Sequence, residues 1–143
     1  MFARVIVAAA ALGLLAGTAM ADTIEVKMLN KGEAGSMVFE PDYVEAKPGD
    51  TIHFLATDKG HNVEDIDGML PEGAAEFKSK MSKDFELTVD VPGFYGVKCT
   101  PHYGMGMVAL IKVGEADNLD AVKAVKQRGK AKQRFADIFA KVD

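Results

Sequence analysis

From residue 23 to residue 113 the apolar positions recur mostly at every second residue, the period of a strand with one buried face. TIEVKML (23–29) sets Ile24, Val26 and Met28 on one face, TIHFLAT (51–57) sets Ile52, Phe54 and Ala56, and FELTVDV (85–91) sets Leu87, Val89 and Val91. FYGVKC (94–99) and MVALIKV (107–113) read as two further strands. Lys47-Pro48-Gly49-Asp50 and Val91-Pro92-Gly93-Phe94 are turn signals of the kind that joins antiparallel neighbours. About seven short strands at this spacing predict an all-β Greek-key sandwich or barrel. Residues 67–83 fit no strand and read as a long loop with one short helical turn.

Beyond Gly114 the period lengthens to that of a helix. Asp117 is placed to cap a first helix carrying Leu119, Val122 and Lys123. A break at Arg128-Gly129-Lys130 precedes a second, in which Phe135, Ile138, Phe139 and Val142 fall on one side. Two amphipathic helices are therefore expected to cover the sandwich.

The first 21 residues stand apart: Arg4, a run of Val, Ala, Leu and Gly, then Ala19-Met20-Ala21. This is the pattern of a secretory signal peptide cut before Asp22. The run is too short and too rich in Ala and Gly to make a membrane span, no later stretch approaches about 20 apolar residues, and no cysteine in the leader could carry a lipid. An exported chain without a membrane anchor is expected, with one domain over 22–143: a sandwich over 22–113 and a two-helix extension over 114–143. The whole sequence has 17 basic and 21 acidic side chains and the leader takes only Arg4 among them. The remainder is acidic, which argues against nucleic acid as a partner.

Cys99 is the only cysteine, so an exported chain has no internal disulfide to place it in; it is either buried and inert or held by something. It opens the stretch CTPHYGMGM (99–107), with His102 three residues on and Met107 five beyond that. Two other imidazoles exist. His53 alternates with Ile52 and Phe54 and so points to solvent, whereas His61 follows the turn Asp58-Lys59-Gly60, which can fix it at one end of the sandwich. His61, Cys99, His102 and Met107 make a set of two imidazoles, a thiolate and a thioether, the donors of a type 1 centre holding one copper ion as Cu(I) or Cu(II). Zinc sites favour several cysteines and rarely take a thioether. Taken singly, Cys99 reads as a structural thiol and Met107 as core filler; their register with both histidines argues otherwise. A thiol nucleophile would need a residue to orient His102, and none is evident. Metal catalysis would need an open coordination position, so the set suits electron transfer and not an enzyme.

The run from Pro92 to His102, with Met107 after it and Gly60-His61-Asn62-Val63 before it, resembles the cupredoxins, and among them the pseudoazurin branch. The Cys-x-x-His-x4-Met loop, the strands and the two terminal helices carry the resemblance over nearly all of 22–143. It implies a soluble, monomeric, periplasmic blue-copper carrier. Such a carrier takes one electron from a c-type cytochrome or the bc1 complex and passes it to copper nitrite reductase or another terminal reductase in denitrification. It implies that Asn62 ties the two ligand loops together, its backbone N–H reaching the sulfur, and that Pro101, lacking an N–H, denies the sulfur another donor. It also implies a docking face for transient electrostatic encounters: Lys31, Lys59, Lys78 and Lys98 around an apolar patch with Met37 and Met105, beside Gly104 and Gly106. Two other readings stay open. One is a copper carrier that hands over the ion; the other is a plastocyanin- or amicyanin-like electron carrier, against which the terminal helices argue.

Overall fold

The computed structural model describes Gly13 and residues 20–143; the expected leader lies, but for Gly13, Met20 and Ala21, outside the described residues. Among these, eight strands form: β1 (Thr23–Gly32), β2 (Gly35–Glu40), β3 (Tyr43–Ala46), β4 (Asp50–Leu55), β5 (Glu64–Asp65), β6 (Phe85–Val89), β7 (Gly93–Lys98) and β8 (Val108–Val113). They build two four-stranded sheets, β2-β1-β4-β6 and β3-β8-β7-β5. β1 pairs with β4, and β3 with β8, in parallel; the other neighbours are antiparallel. This is the expected all-β Greek-key sandwich.

The five strands expected from the sequence stand where it places them. In β4, Ile52 and Phe54 are fully buried while His53 between them faces outward, 3.4 Å from Asp84 Oδ2. Val26, Met28, Phe39, Phe54, Val89, Val97, Ile111 and their neighbours fill the space between the sheets. Phe39 and Phe54 meet edge to face with centroids 5.7 Å apart, a preferred aromatic geometry.

Three expectations are corrected. The two Pro-Gly turns do not join antiparallel neighbours: Lys47–Asp50 carries the chain from β3 in one sheet to β4 in the other, and Val91–Phe94 carries it from β6 to β7 across the same gap. A turn fixes only the reversal of direction; which sheet a strand joins is decided by the partner its edge finds. Residues 67–83 contain no helical turn and are instead tied down by a bridge between Glu64 and Lys78. Asp117 does not cap the first helix, α1 (Leu119–Ala124); the N-cap is Asn118. Its carboxamide is used elsewhere, accepting from Phe94 N at 2.7 Å and donating to Phe94 O at 3.1 Å, so it fastens the helix to β7.

The second helix, α2 (Ala131–Phe139), buries Ala131, Phe135 and Ile138. Together with Val122 of α1 they cover the outer face of the second sheet through Phe94, Val108 and Leu110. The extension thus adds a second, smaller core on the back of the sheet that carries the cysteine. Among the described residues no helix is long and apolar enough to cross a membrane.

Candidate metal centre

β7 ends at Lys98, one residue before Cys99, and β8 begins at Val108, one residue after Met107. Between them the chain makes a 3-10 turn, Thr100–Met105, with Pro101 in its first positions, where its missing N–H is no loss, and Gly106 closing it at φ 91°. Gly106 also lies where an added Cβ would come within 3.3 Å of Lys130 O, so both conformation and space call for glycine. Cys99 N donates to Met107 O at 3.0 Å and Met107 N to His102 O at 3.1 Å, which draws the three positions of one loop together.

His61 arrives from the other side, on the loop between β4 and β5. Its Nδ1 lies 3.7 Å from Cys99 Sγ and 3.2 Å from His102 Nδ1, and His102 Nδ1 lies 3.5 Å from Sγ. Taking bond lengths of about 2.0 Å to nitrogen and 2.3 Å to sulfur, as for zinc, an ion central in such a triangle spans edges of about 3.5–3.7 Å. The three donors therefore fit one metal ion in their plane. His61, Cys99 and Met107 are fully buried and His102 is half-exposed, so the site has one edge open to solvent. Met107 is buried in the same core cluster as Cys99.

The electrostatics agree with a neutral-imidazole, thiolate-ready set. Burial, with the His102 ring beside it, disfavours protonation of His61. Its Nε2–H donates to Asn30 Oδ1 at 2.8 Å, which leaves the Nδ1 lone pair facing the sulfur. Burial pushes the Cys99 thiol up, opposed by the backbone N–H groups of Asn62 and His102 aimed at the sulfur. A thiol so placed ionises readily only when a cation arrives to hold the thiolate.

Asn62 is buried, and it bonds across to the other loop: Thr100 N donates to its Oδ1 at 2.7 Å and its Nδ2 donates to Thr100 Oγ1 at 2.8 Å. Thr100 Oγ1 donates onward to Glu64 Oε2 at 2.6 Å. Lys31 and Lys59 are exposed, Lys31 one residue after Asn30 and Lys59 in the turn before His61. Lys78 is exposed at the bridge to Glu64, and the half-buried Lys98 sets its ammonium 5.5 Å from the Tyr103 ring. Met105 is 42 % exposed on the 3-10 turn, whereas Met37 is half-buried on β2. Asn30, Thr100 and Glu64 were not among the expected residues; an asparagine inside a strand, where that residue is uncommon, was the one signal for Asn30.

Residues 26–114 match the family of copper-binding proteins of the plastocyanin/azurin type. Pseudoazurin of Paracoccus pantotrophus is 58 % identical over 137 residues, covering 95 % of this chain and 94 % of that one. The chain belongs to the pseudoazurins, a branch of this copper-binding family. Pseudoazurin of Methylorubrum extorquens is 48 % identical over 99 % of both chains. The crystal structure of pseudoazurin from Methylobacterium extorquens AM1 superposes with a TM-score of 0.83 at 50 % identity, covering 85 % of this chain and all of that one. A pseudoazurin is a blue-copper electron carrier and not an enzyme, and it binds one type 1 copper ion. Bound copper supplies a one-electron couple. In this pseudoazurin Asn30 orients His61, Asn62 locks the two loops, and the buried walls of the core keep water from the sulfur.

Proposed function

We propose that His61, Cys99, His102 and Met107 ligate the copper, and that the chain, cut before Asp22, works as a soluble carrier in the periplasm. It takes an electron from a c-type cytochrome or the bc1 complex and gives it to a terminal reductase such as copper nitrite reductase. The observation that carries the reading is the triangle of Nδ1, Nδ1 and Sγ, with Met107 buried in the same core as Cys99 and His102 half-exposed. A ligand set drawn from two loops locked by Asn62 changes little between oxidation states, which suits fast electron exchange over release of the ion.

Lys31, Lys59, Lys78 and Lys98, around Met105 and Met37, supply the docking face. Three are exposed and all stand on segments that border the ligand loops. An acidic protein with a basic face around its exposed ligand edge steers an acidic partner and releases it quickly.

Two experiments test this. Residues 22–143 loaded with one equivalent of Cu(II) are expected to show an intense thiolate-to-copper band and a narrow copper hyperfine splitting, both lost in Cys99→Ala; weak d–d absorption alone would remove the sulfur from the site. Electron transfer to copper nitrite reductase is expected to slow as salt rises from 0.01 to 0.5 M, and a rate indifferent to salt would remove the lysine ring.

A further inference from the structure

We propose that the helical extension is a positioning device for the metal loop: Gln127, Gly129, Lys130 and Arg134 grip the stretch Tyr103–Gly106, which lies between His102 and Met107. The inference rests on the ligand assignment given above and adds a role for residues that lie wholly beyond the 26–114 matched to the family.

The grip has four parts. Tyr103 Oη donates to Gln127 Oε1 and accepts from Arg128 N at 3.2 Å. Lys130 N donates to Gly104 O at 3.0 Å. Gly129, at φ 56°, lies so close that an added Cβ would stand 2.6 Å from Gly104 O. Under the end of the turn, Lys130 and the Arg134 guanidinium lie within 3.4 Å of where a Gly106 Cβ would be. Both backbone polar groups and side chains of the extension are thus spent on three residues of the loop, Tyr103, Gly104 and Gly106.

Gln127 extends the connection inward. Its Nε2 donates to Met69 Sδ at 3.2 Å, and Met69 lies against the backbone of β7 at Gly96, where a Cβ would clash at 2.7 Å. Tyr103 is further flanked by cations, Lys98 at 5.5 Å and Arg128 at 5.6 Å from its ring centroid. The residue next to His102 is therefore fixed by its hydroxyl and its ring face together. A cover that served only to bury the second sheet needs Val122, Phe135 and Ile138; it has no use for bonds to Tyr103 and Gly104. Those bonds hold the one half-exposed ligand, His102, whose immediate chain neighbour would otherwise be free on the surface.

The test compares Gly129→Ala and Gln127→Ala with Ile138→Val, which loosens the helical core away from the loop. Copper-loaded protein is read by EPR and reduction potential, and copper-free protein by amide hydrogen exchange at Gly106 and Met107. The expected result is altered hyperfine splitting and potential in the first two variants, with amide exchange about fivefold faster, the factor one ordinary hydrogen bond supplies. Ile138→Val is expected to lower the melting temperature and leave both copper readouts unchanged. Unaltered spectra and exchange in Gly129→Ala and Gln127→Ala overturn the proposal, and so does an equal shift in Ile138→Val. If Gly129→Ala fails to fold, Gln127→Ala decides alone. A wild type without the blue spectrum overturns the ligand assignment instead, and the exchange data on copper-free protein still decide whether the grip exists.

Discussion

The carboxamide of Asn62 accepts from one group of Thr100 and donates to another, so a single buried side chain closes the gap between the two ligand loops. Truncation leaves Thr100 N without that partner at a partly buried position. Asn62→Ala is expected to lower unfolding free energy by about 1 kcal/mol, the net contribution of an ordinary hydrogen bond, measured by urea titration of the copper-free protein. Pro101 acts by what it lacks. Its place at the start of the 3-10 turn, two residues from the sulfur, puts no N–H there. Pro101→Ala adds a donor near the thiolate, which disfavours Cu(II) over Cu(I); the reduction potential is expected to rise, and voltammetry giving an equal or lower value would refute this.

Among the elements, β4 depends on its first residue. Asp50 is 2 % exposed, and its carboxylate accepts from Lys47 N and Asp22 N, each at 2.8 Å. The backbone N–H of Lys47, then that of Asp22, hold its pKa below the ordinary carboxylate value. A depressed folded pKa contributes stability that is complete above the unfolded pKa of about 3.9 and is lost as pH falls through the folded value. Unfolding free energy is thus expected to drop below about pH 4, and Asp50→Asn to flatten part of that slope; an identical slope in the variant would show the carboxylate to be idle. Period-two alternation made β1, β4 and β6 readable from sequence, and β7 and β8, buried on both faces, were readable as short apolar runs beside the ligand loop. It could not show β2, where Val38 and Phe39 are buried in succession and Met37 has φ 53°, nor β5, which has two residues. The helices were readable from their apolar spacing, but not the cap, because Asn118 serves β7 instead of its own helix. The ligands were readable because soft donors are rare and crowd one loop, whereas Asn30 reaches His61 only through the pairing of strands distant in sequence.

For the molecule as a whole, copper and fold stand in linkage. An ion that binds the folded chain and not the unfolded one adds stability by mass action, about 4 kcal/mol at a thousandfold excess over its Kd. Calorimetry is expected to show a higher melting temperature for the copper-loaded protein, and the same fold persisting without metal, since Asn30, Asn62 and the buried core hold the loops independently; equal melting temperatures would refute the linkage. The donor set is completed only by the fold. His61 and Cys99 are 38 residues apart; the His61 loop crosses from β4 in one sheet to β5 in the other, while the Cys99 loop joins β7 and β8 within the second sheet. Parallel pairings of β1 with β4 and β3 with β8 close late, because long loops must form first. Before the sheets pair, copper meets Cys99, His102 and Met107 within nine residues of one another but not His61; the finished fold brings His61 to them. The topology thus leaves the last imidazole to tertiary structure: pairing of the sheets is what completes the donor set.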